Sequence, residues 1–253
     1  MRDKYTEINS QTWDKWVSDG NEWTKPISHQ QFVAAQNGDW QMLLTPCRPV
    51  PREWFGELRG KRVLGLASGG GQQMPVFAAQ GAICTVFDNS AAQLATEREI
   101  AARERYQIEI IKGDMTQPLP FADNSFDLIF HPVSNCYIED VYPLWRECYR
   151  VLAAGGALLA GMDNGLSFLV DEEDELHIVN KLPFNPLRDY DERQLADLLA
   201  RDYGLQFSHT LEEQIGGQLK AGLRLTDVYE DYDNCGVLRE YAPAFWATRA
   251  IKE

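Results

Sequence analysis

Positive charge is scarce in this sequence. Lysine and arginine total 24 against 38 aspartates and glutamates, a formal net charge of −14 over 253 residues. A chain that grips nucleic acid needs cations to neutralise phosphates, and one that clings to anionic lipid needs a basic cluster. Neither partner is expected. Cysteine is sparse too: five, at positions 47, 84, 136, 148 and 235. The number is odd and no pair has Cys-x-x-Cys spacing, so neither a disulfide framework nor a zinc site is expected, and a reducing compartment fits. Histidine numbers four, and His177 and His209 share no ligand spacing with each other or with the cysteines, so no metal is expected. No stretch approaches the roughly 18 consecutive apolar residues of a membrane span. The start, Met1 to Tyr5, leads into polar sequence with no apolar signal core. These absences predict a cytoplasmic protein. They say nothing of its oligomeric state.

What is present is enough to fold. Hydrophobic residues make up 44% and aromatics 11%, which supports a packed core and excludes a disordered chain. The sequence shows no internal repeat. Residues 1–60 hold tryptophans at 13, 16, 23, 40 and 54 and a proline-studded stretch over 46–51, and read as an N-terminal cap and linker. Trp13, Trp16 and Trp23 are expected as core beneath a cap helix. Residues 61–253 read as the main domain, with an irregular acidic insert at about 164–190. The last 90 residues carry 18 acids against 9 bases. The run Asp171 to Glu175 reads as a solvated loop, or as a lid.

From Lys61 apolar runs alternate with helical patterns. Strands are predicted at 62–67, 82–88, 108–112, 126–130 and 157–162, and two more at 223–229 and 244–251. Helices are predicted over 72–80, 90–105 (opened by the capping pair Ser90 and Gln93), 140–152, 191–203 and 210–222 (opened by Thr210 and Glu213). Gly155-Gly156 is taken as a helix stop. The alternation predicts an α/β fold around a parallel sheet with helices on both faces.

Chemistry concentrates at successive strand ends. The first strand runs into Ala67-Ser68-Gly69-Gly70-Gly71-Gln72-Gln73, where glycines let the backbone approach a ligand closely. No Gly-Lys-Ser/Thr follows, so this is not a nucleotide P-loop. Met74 stands where a dinucleotide fingerprint needs Gly or Ala. The second strand ends at Asp88, placed to accept from both hydroxyls of a ribose. The third ends at Gly113-Asp114-Met115, where a carboxylate can accept from an exocyclic amine such as that of adenine. In an open α/β sheet these carboxyl ends line one crevice. The fourth strand leaves through His131-Pro132-Val133-Ser134-Asn135-Cys136-Tyr137. There His131 is a general base or a hydrogen-bonding support, and Cys136 a buried small side chain. Asp163, ending the fifth strand, faces the substrate. His29 either reaches the site from the cap or lies on the surface.

With these segments in hand, the sequence resembles the class I S-adenosylmethionine-dependent methyltransferases, in their small-molecule branch. The resemblance is close over 61–163 and looser beyond. Its carriers are Gly65 to Gly71, Val86-Phe87-Asp88-Asn89-Ser90, Gly113-Asp114-Met115, the link Leu119 to Ile129, and Arg146 to Leu152 with Gly155 to Leu158. It implies a Rossmann-like seven-stranded, mostly parallel sheet with a reversed last strand. It implies S-adenosylmethionine as cofactor, held by Ala67, Ser68, Gly69, Gly71, Gln73, Asp88, Asn89, Gly113, Asp114, Met115 and His131. The small-molecule acceptor would lie near Asn135 and Asp163, with His131 as base. The exit lacks the Asn-Pro-Pro-Tyr pattern of base-methylating relatives.

Two positions depart from the family. Ala67 replaces its first glycine, and Gly65 replaces the acid that helps hold the methionyl ammonium. A substitute from the cap is expected, from among Asp3, Asp14, Asp19 and Glu22. Two other readings stand beside methyl transfer. One is a non-catalytic cofactor-binding or regulatory protein on the same scaffold. The other is a nicotinamide-dependent oxidoreductase.

Overall fold

A computed structural model describes residues 4–171 and 177–253. Asp3 and 172–176 of the acidic run lie outside the described residues. Apart from a short two-stranded pairing of Val170–Asp171 with His177–Ile178, the strands are those of the main sheet: β1 (Arg62–Leu66), β2 (Ile83–Asp88), β3 (Ile108–Lys112), β4 (Phe126–His131), β5 (Leu152–Asp163), β6 (Leu223–Asp231) and β7 (Phe245–Lys252). They form one sheet in the order β3-β2-β1-β4-β5-β7-β6. The first five are parallel. β7 runs antiparallel to both its neighbours, so the expected reversed strand sits one place in from the edge.

Side chains alternate across the sheet, as a strand's two-residue period requires. Val63, Leu128, Phe130 and Leu159 point to one layer, with α3 (Met74–Ala79) and α4 (Ala91–Glu104). Leu64, Ile129, Leu158 and Ala160 point to the other, against α5 (Tyr142–Val151). The spacing of Leu144, Cys148 and Val151 puts all three on the buried stripe of α5, beside the fully buried Trp145.

Boundaries differ from the sequence reading in several places, three of them with a clear physical cause. α3 starts at Met74 rather than Gln72, because the glycine turn continues through Gln73. Gly155-Gly156 does not stop a helix. α5 ends at Val151, and 152–156 belong to β5 as an irregularity opposite Phe126 and Leu128. The predicted helix over 210–222 opens on its capping pair, with Glu213 N–H donating to Thr210 Oγ1 at 3.1 Å. It then widens into a π-helical stretch, Glu212–Gly216, before a short α-helix, Gly217–Lys220. Trp145 sets this shape. Its indole donates to the Glu213 carbonyl at 3.0 Å, and a side chain at Gly217 would strike its ring at 2.5 Å.

The N-terminal 60 residues divide into two parts. α1 (Tyr5–Asp19) lies over the sheet's carboxyl end and against α4, while α2 (His29–Gln36) packs against α3. Trp40, Met42, Leu44, Val50, Trp54, Phe55 and Leu58 instead belong to the core, where Phe55 meets Phe77 and Phe130. The stretch read as linker is thus structural. Its tightest point is Gly161 on β5, where a Cβ would strike the Leu44 carbonyl. That neighbour is backbone and has no rotamer to yield. Gly161→Ala is therefore expected to cost about 1–3 kcal/mol in urea unfolding. An unchanged midpoint would mean that 42–50 does not press on β5.

Candidate functional site

A cavity of about 680 Å³ opens over the carboxyl ends of β1 to β5. Its floor is the glycine turn. Ala67 leaves β1 in the left-handed region, φ +49°, which costs a residue with a Cβ and is where the family has glycine. Its N–H donates to Phe87 O at 2.8 Å, pulling the turn toward β2. Gly69 N–H donates to Asp88 Oδ2 at 2.9 Å, and Ser90 N–H to Asp88 Oδ1 at 2.8 Å. Gly71 N–H donates to Glu97 Oε2 at 2.7 Å, and the Tyr106 hydroxyl donates to Glu97 Oε1 at 2.9 Å. Burial raises the pKa of Asp88 against these N–H contacts, and pushes Glu97 up to about 7.

Ala67, Ser68, Gly69, Gln73, Asp88, Asn89, Gly113, Asp114 and Met115 all face this cavity. Ser68 Oγ donates to Gln73 Oε1 at 3.0 Å, and Asp114 Oδ1 accepts from Thr116 N–H at 2.8 Å. Asp163 faces it from the end of β5. Gly71 does not: it is set behind the turn, against Ile100 and Pro26.

His131 is corrected. It is fully buried, with Nδ1 2.9 Å from Leu66 O and Nε2 2.7 Å from the Asn135 side-chain amide. Both nitrogens are engaged, burial lowers its pKa, and it is not on the cavity wall. It lies off the cavity wall, where a base or cofactor contact was expected to stand, and ties β4 to β1. Asn135 is corrected with it. It is fully buried, is not on the cavity wall, and donates to Gln214 Oε1 at 2.7 Å. His29 lies on the surface, paired with Glu104 at 2.8 Å. Cys136 is buried on the wall, with its thiol pushed well above its ordinary pKa.

The cap contributes more than the sequence reading allowed. The buried residues of α1 are polar, Asn9 and Ser10. Asn9 bonds to the backbone at Tyr137 and Leu205, and Ser10 Oγ donates to Asn89 O at 2.7 Å. Thr6, Asn9, Ser10, Trp13 and Trp16 all line the cavity, so Trp13 and Trp16 are wall rather than core. Trp23 is 39% exposed at the same wall. Gln72 Nε2 donates to Trp23 O at 2.6 Å, pinning that segment over the turn. The stripe at 6, 9, 10, 13 and 16 has helical spacing. Its polar and aromatic makeup was the available signal for Thr6, Asn9 and Ser10. The further wall residues Thr45, Ser134, Phe168 and Phe245 carried none.

Gly65 has a physical reason. A Cβ there would lie 2.7–2.8 Å from the end of the buried Met74 side chain, which fills the space of the family's acid. Of the proposed substitutes, Asp14 accepts from Ser90 Oγ at 2.6 Å and Ala92 N–H at 2.9 Å, capping α4. Asp19 pairs with Lys15. Only Glu22 among the described candidates is on the cavity wall.

Asp163 is the unusual group. Oδ1 accepts from Gly165 N–H at 3.0 Å, while Oδ2 is buried with no partner among the described residues. Burial pushes its pKa up to about 7. A carboxyl whose folded pKa is raised binds its proton more tightly folded than unfolded, so its contribution falls as pH rises from about 4 through 7. Asp163→Asn keeps the acceptor for Gly165 and removes this liability. The variant is expected to gain on the order of 3 kcal/mol relative to wild type between pH 5 and pH 8, read by urea unfolding of ligand-free protein. A pH-independent difference would place the carboxyl in water.

With this geometry in place, comparison with known proteins is informative. Residues 64–160 match the family model described as a methyltransferase domain. An uncharacterised methyltransferase of Bacillus subtilis, YbaJ, is 43% identical over 248 residues, 96% of this chain and 97% of that protein. Among solved structures, an S-adenosylmethionine-dependent methyltransferase from Mesorhizobium loti aligns with TM-score 0.61 at 20% identity, covering 79% of this chain and 95% of that one. Geranyl diphosphate C-methyltransferase from Streptomyces coelicolor, solved with Mg²⁺, geranyl diphosphate and S-adenosylhomocysteine, aligns with TM-score 0.56 at 13% identity, covering 79% and 76%. These last two share the fold. The chain belongs to the methyltransferase family and is built on the fold of the S-adenosylmethionine-dependent enzymes.

Proposed function

We propose that the cavity holds S-adenosylmethionine along the β1–β3 ends and a small-molecule acceptor on the β4–β5 side, in the cytoplasm. The observation that carries this reading is that three consecutive strand ends meet on one wall: the Ala67–Gly69 turn, Asp88, and Gly113-Asp114. Asp88 uses each carboxylate oxygen once on backbone N–H groups, and an ionised carboxylate has lone pairs to spare for ribose hydroxyls. Asp114 takes the adenine amine, and Met115 packs the base. Ser68, Gly69 and Gln73 lie along the methionyl part, with Glu22 from the cap facing its ammonium in place of an acid at 65. Gly71, His131 and Asn135 act by holding the turn and the β4 exit in shape.

The residues present suit this cofactor. The wall carries the carboxylates of Glu22, Asp88, Asp114, Asp163 and Asp233 and, among the described residues, no lysine, arginine or histidine. A cation fits there, and a dinucleotide pyrophosphate does not. When bound, the cofactor supplies a methyl group already activated by its sulfonium. The chain's task is then alignment and exclusion of water. α1 and 41–46 cover the site, and Trp13, Tyr137, Phe168 and Phe245 present apolar surface to an acceptor.

Calorimetric titration with S-adenosylmethionine and S-adenosylhomocysteine tests the reading. Both are expected to bind, and Asp88→Asn to weaken both by about 1–3 kcal/mol through lost charge-assisted bonds. Failure of both ligands at millimolar concentration would sink the proposal. Unchanged affinity in the variant would remove Asp88 from the ribose.

A further inference from the structure

The cavity has a charged end that the cofactor does not use. Asp88 closes β2 and Asp163 closes β5, three strand positions apart, or about 14 Å at the usual strand spacing. Asp163 is 5% exposed, sits on the cavity wall, and leaves Oδ2 without a partner among the described residues. A buried carboxylate oxygen left unpaired is costly, and proteins retain such a group where a ligand completes it. The surroundings select the ligand's charge. Tyr137 and Cys136 come from the β4 exit, Phe245 is the strand partner of Asp163 on β7, and Phe168 follows from the turn after β5. Tyr137 and Cys136 are the titratable groups coupled to Asp163, and burial holds both neutral. Asp233 adds a further acid to the same wall. An anionic acceptor finds no cation among the described residues of this wall. A neutral one leaves Oδ2 without a counter-charge. A protonated amine finds a carboxylate and aromatic rings on one wall, a combination that suits ammonium groups.

We propose that the methyl acceptor is a primary or secondary amine on an apolar body, and that Asp163 Oδ2 pairs with its ammonium and takes its proton. The inference rests on the methyl-transfer reading above. The step balances. One N–H proton passes to Asp163 Oδ2 and frees the nitrogen lone pair. That pair forms the new N–C bond as the C–S bond breaks, and the C–S electrons stay on sulfur. The product amine carries the positive charge that the sulfonium loses. The raised basicity of Asp163 suits it to accept a proton near neutrality.

The test uses three probes with one body and different heads: 4-phenylbutylamine, 4-phenylbutanol and 4-phenylbutyrate. Each is titrated at pH 8 into the full chain saturated with S-adenosylhomocysteine. The amine is expected to bind at least about tenfold more tightly than the alcohol, with no detectable binding of the carboxylate. Asp163→Asn is expected to erase the amine's advantage while binding S-adenosylhomocysteine within about twofold of wild type. In wild type the amine's affinity is expected to rise from pH 6 to pH 8, a readout that needs no variant. Equal or tighter binding of alcohol or carboxylate, an amine preference that survives Asp163→Asn, or no amine binding at roughly 10 mM overturns the proposal. Saturation with S-adenosylhomocysteine is measured first. Its failure strikes the cofactor reading, whereas failure of the amine preference alone strikes only this one.

Discussion

Asp88 accepts from the N–H of Gly69 and from the N–H of Ser90, so one carboxylate joins the end of β1, the end of β2 and the start of α4. The floor of the site follows from that link. The turn has little stiffness of its own, and Gly70 and Gly71 take left-handed conformations. Glu97 fixes the far side of the same turn through Gly71 N–H, and Asp14 caps α4 from the cap helix. The three carboxylates share a logic. Each finds its positive partner in backbone N–H groups rather than in lysine or arginine. A chain with 24 cations and 38 anions thereby keeps acids inside without guanidinium groups beside them. The potential over the site stays negative, which suits a cofactor that arrives as a cation.

Gly65 shows how a family position changes without losing the fold. An acid there needs open space above β1, and in this chain Met74 occupies it from the first turn of α3. The methionine that disqualifies a dinucleotide fingerprint is the same residue that displaces the acid. One flexible apolar side chain thus accounts for the missing acid and for the missing dinucleotide fingerprint. In the function proposed above the carboxylate moves outward to Glu22, on a segment pinned to the turn through Gln72.

Much of this was legible in the sequence, for identifiable reasons. β1, β2 and β4 were readable because strands buried on both faces are short apolar runs, and β3 because isoleucine recurs along it. Asp88 and Asp163 were readable because each is the polar residue that closes its strand, and Asp114 because it follows β3 by two residues. His131 also ends a strand, and there the rule failed. Position alone does not say whether a side chain turns outward into the crevice or inward against Leu66, and a pairing with Asn135 four residues on leaves no local pattern. The core role of Trp40 to Leu58 was hidden for a related reason. Its contacts reach Phe77, Phe130 and Tyr229, far along the chain, and the prolines at 46, 49 and 51 imitate a linker.

The two halves of the N-terminal region differ in what holds them, and that difference bears on how an acceptor enters. Residues 40–58 bury tryptophan and phenylalanine in the core, and releasing them would expose that surface to water. α1 is held by Asn9, Ser10, Asp14 and edge contacts of Trp13 with Tyr137 and of Tyr5 with Phe207. Its polar contacts can be exchanged for water at a net cost of about 1 kcal/mol each. Local opening draws on the elements with the least apolar burial. α1 therefore lifts at lower cost than 40–58, and it carries Trp13 and Trp16 with it. The same helix also bonds to Asn89 beside the nucleoside site. α1 thus touches both ends of the cavity, Asn89 through Thr6 and Ser10 and Tyr137 through Trp13, on a face held largely by polar contacts.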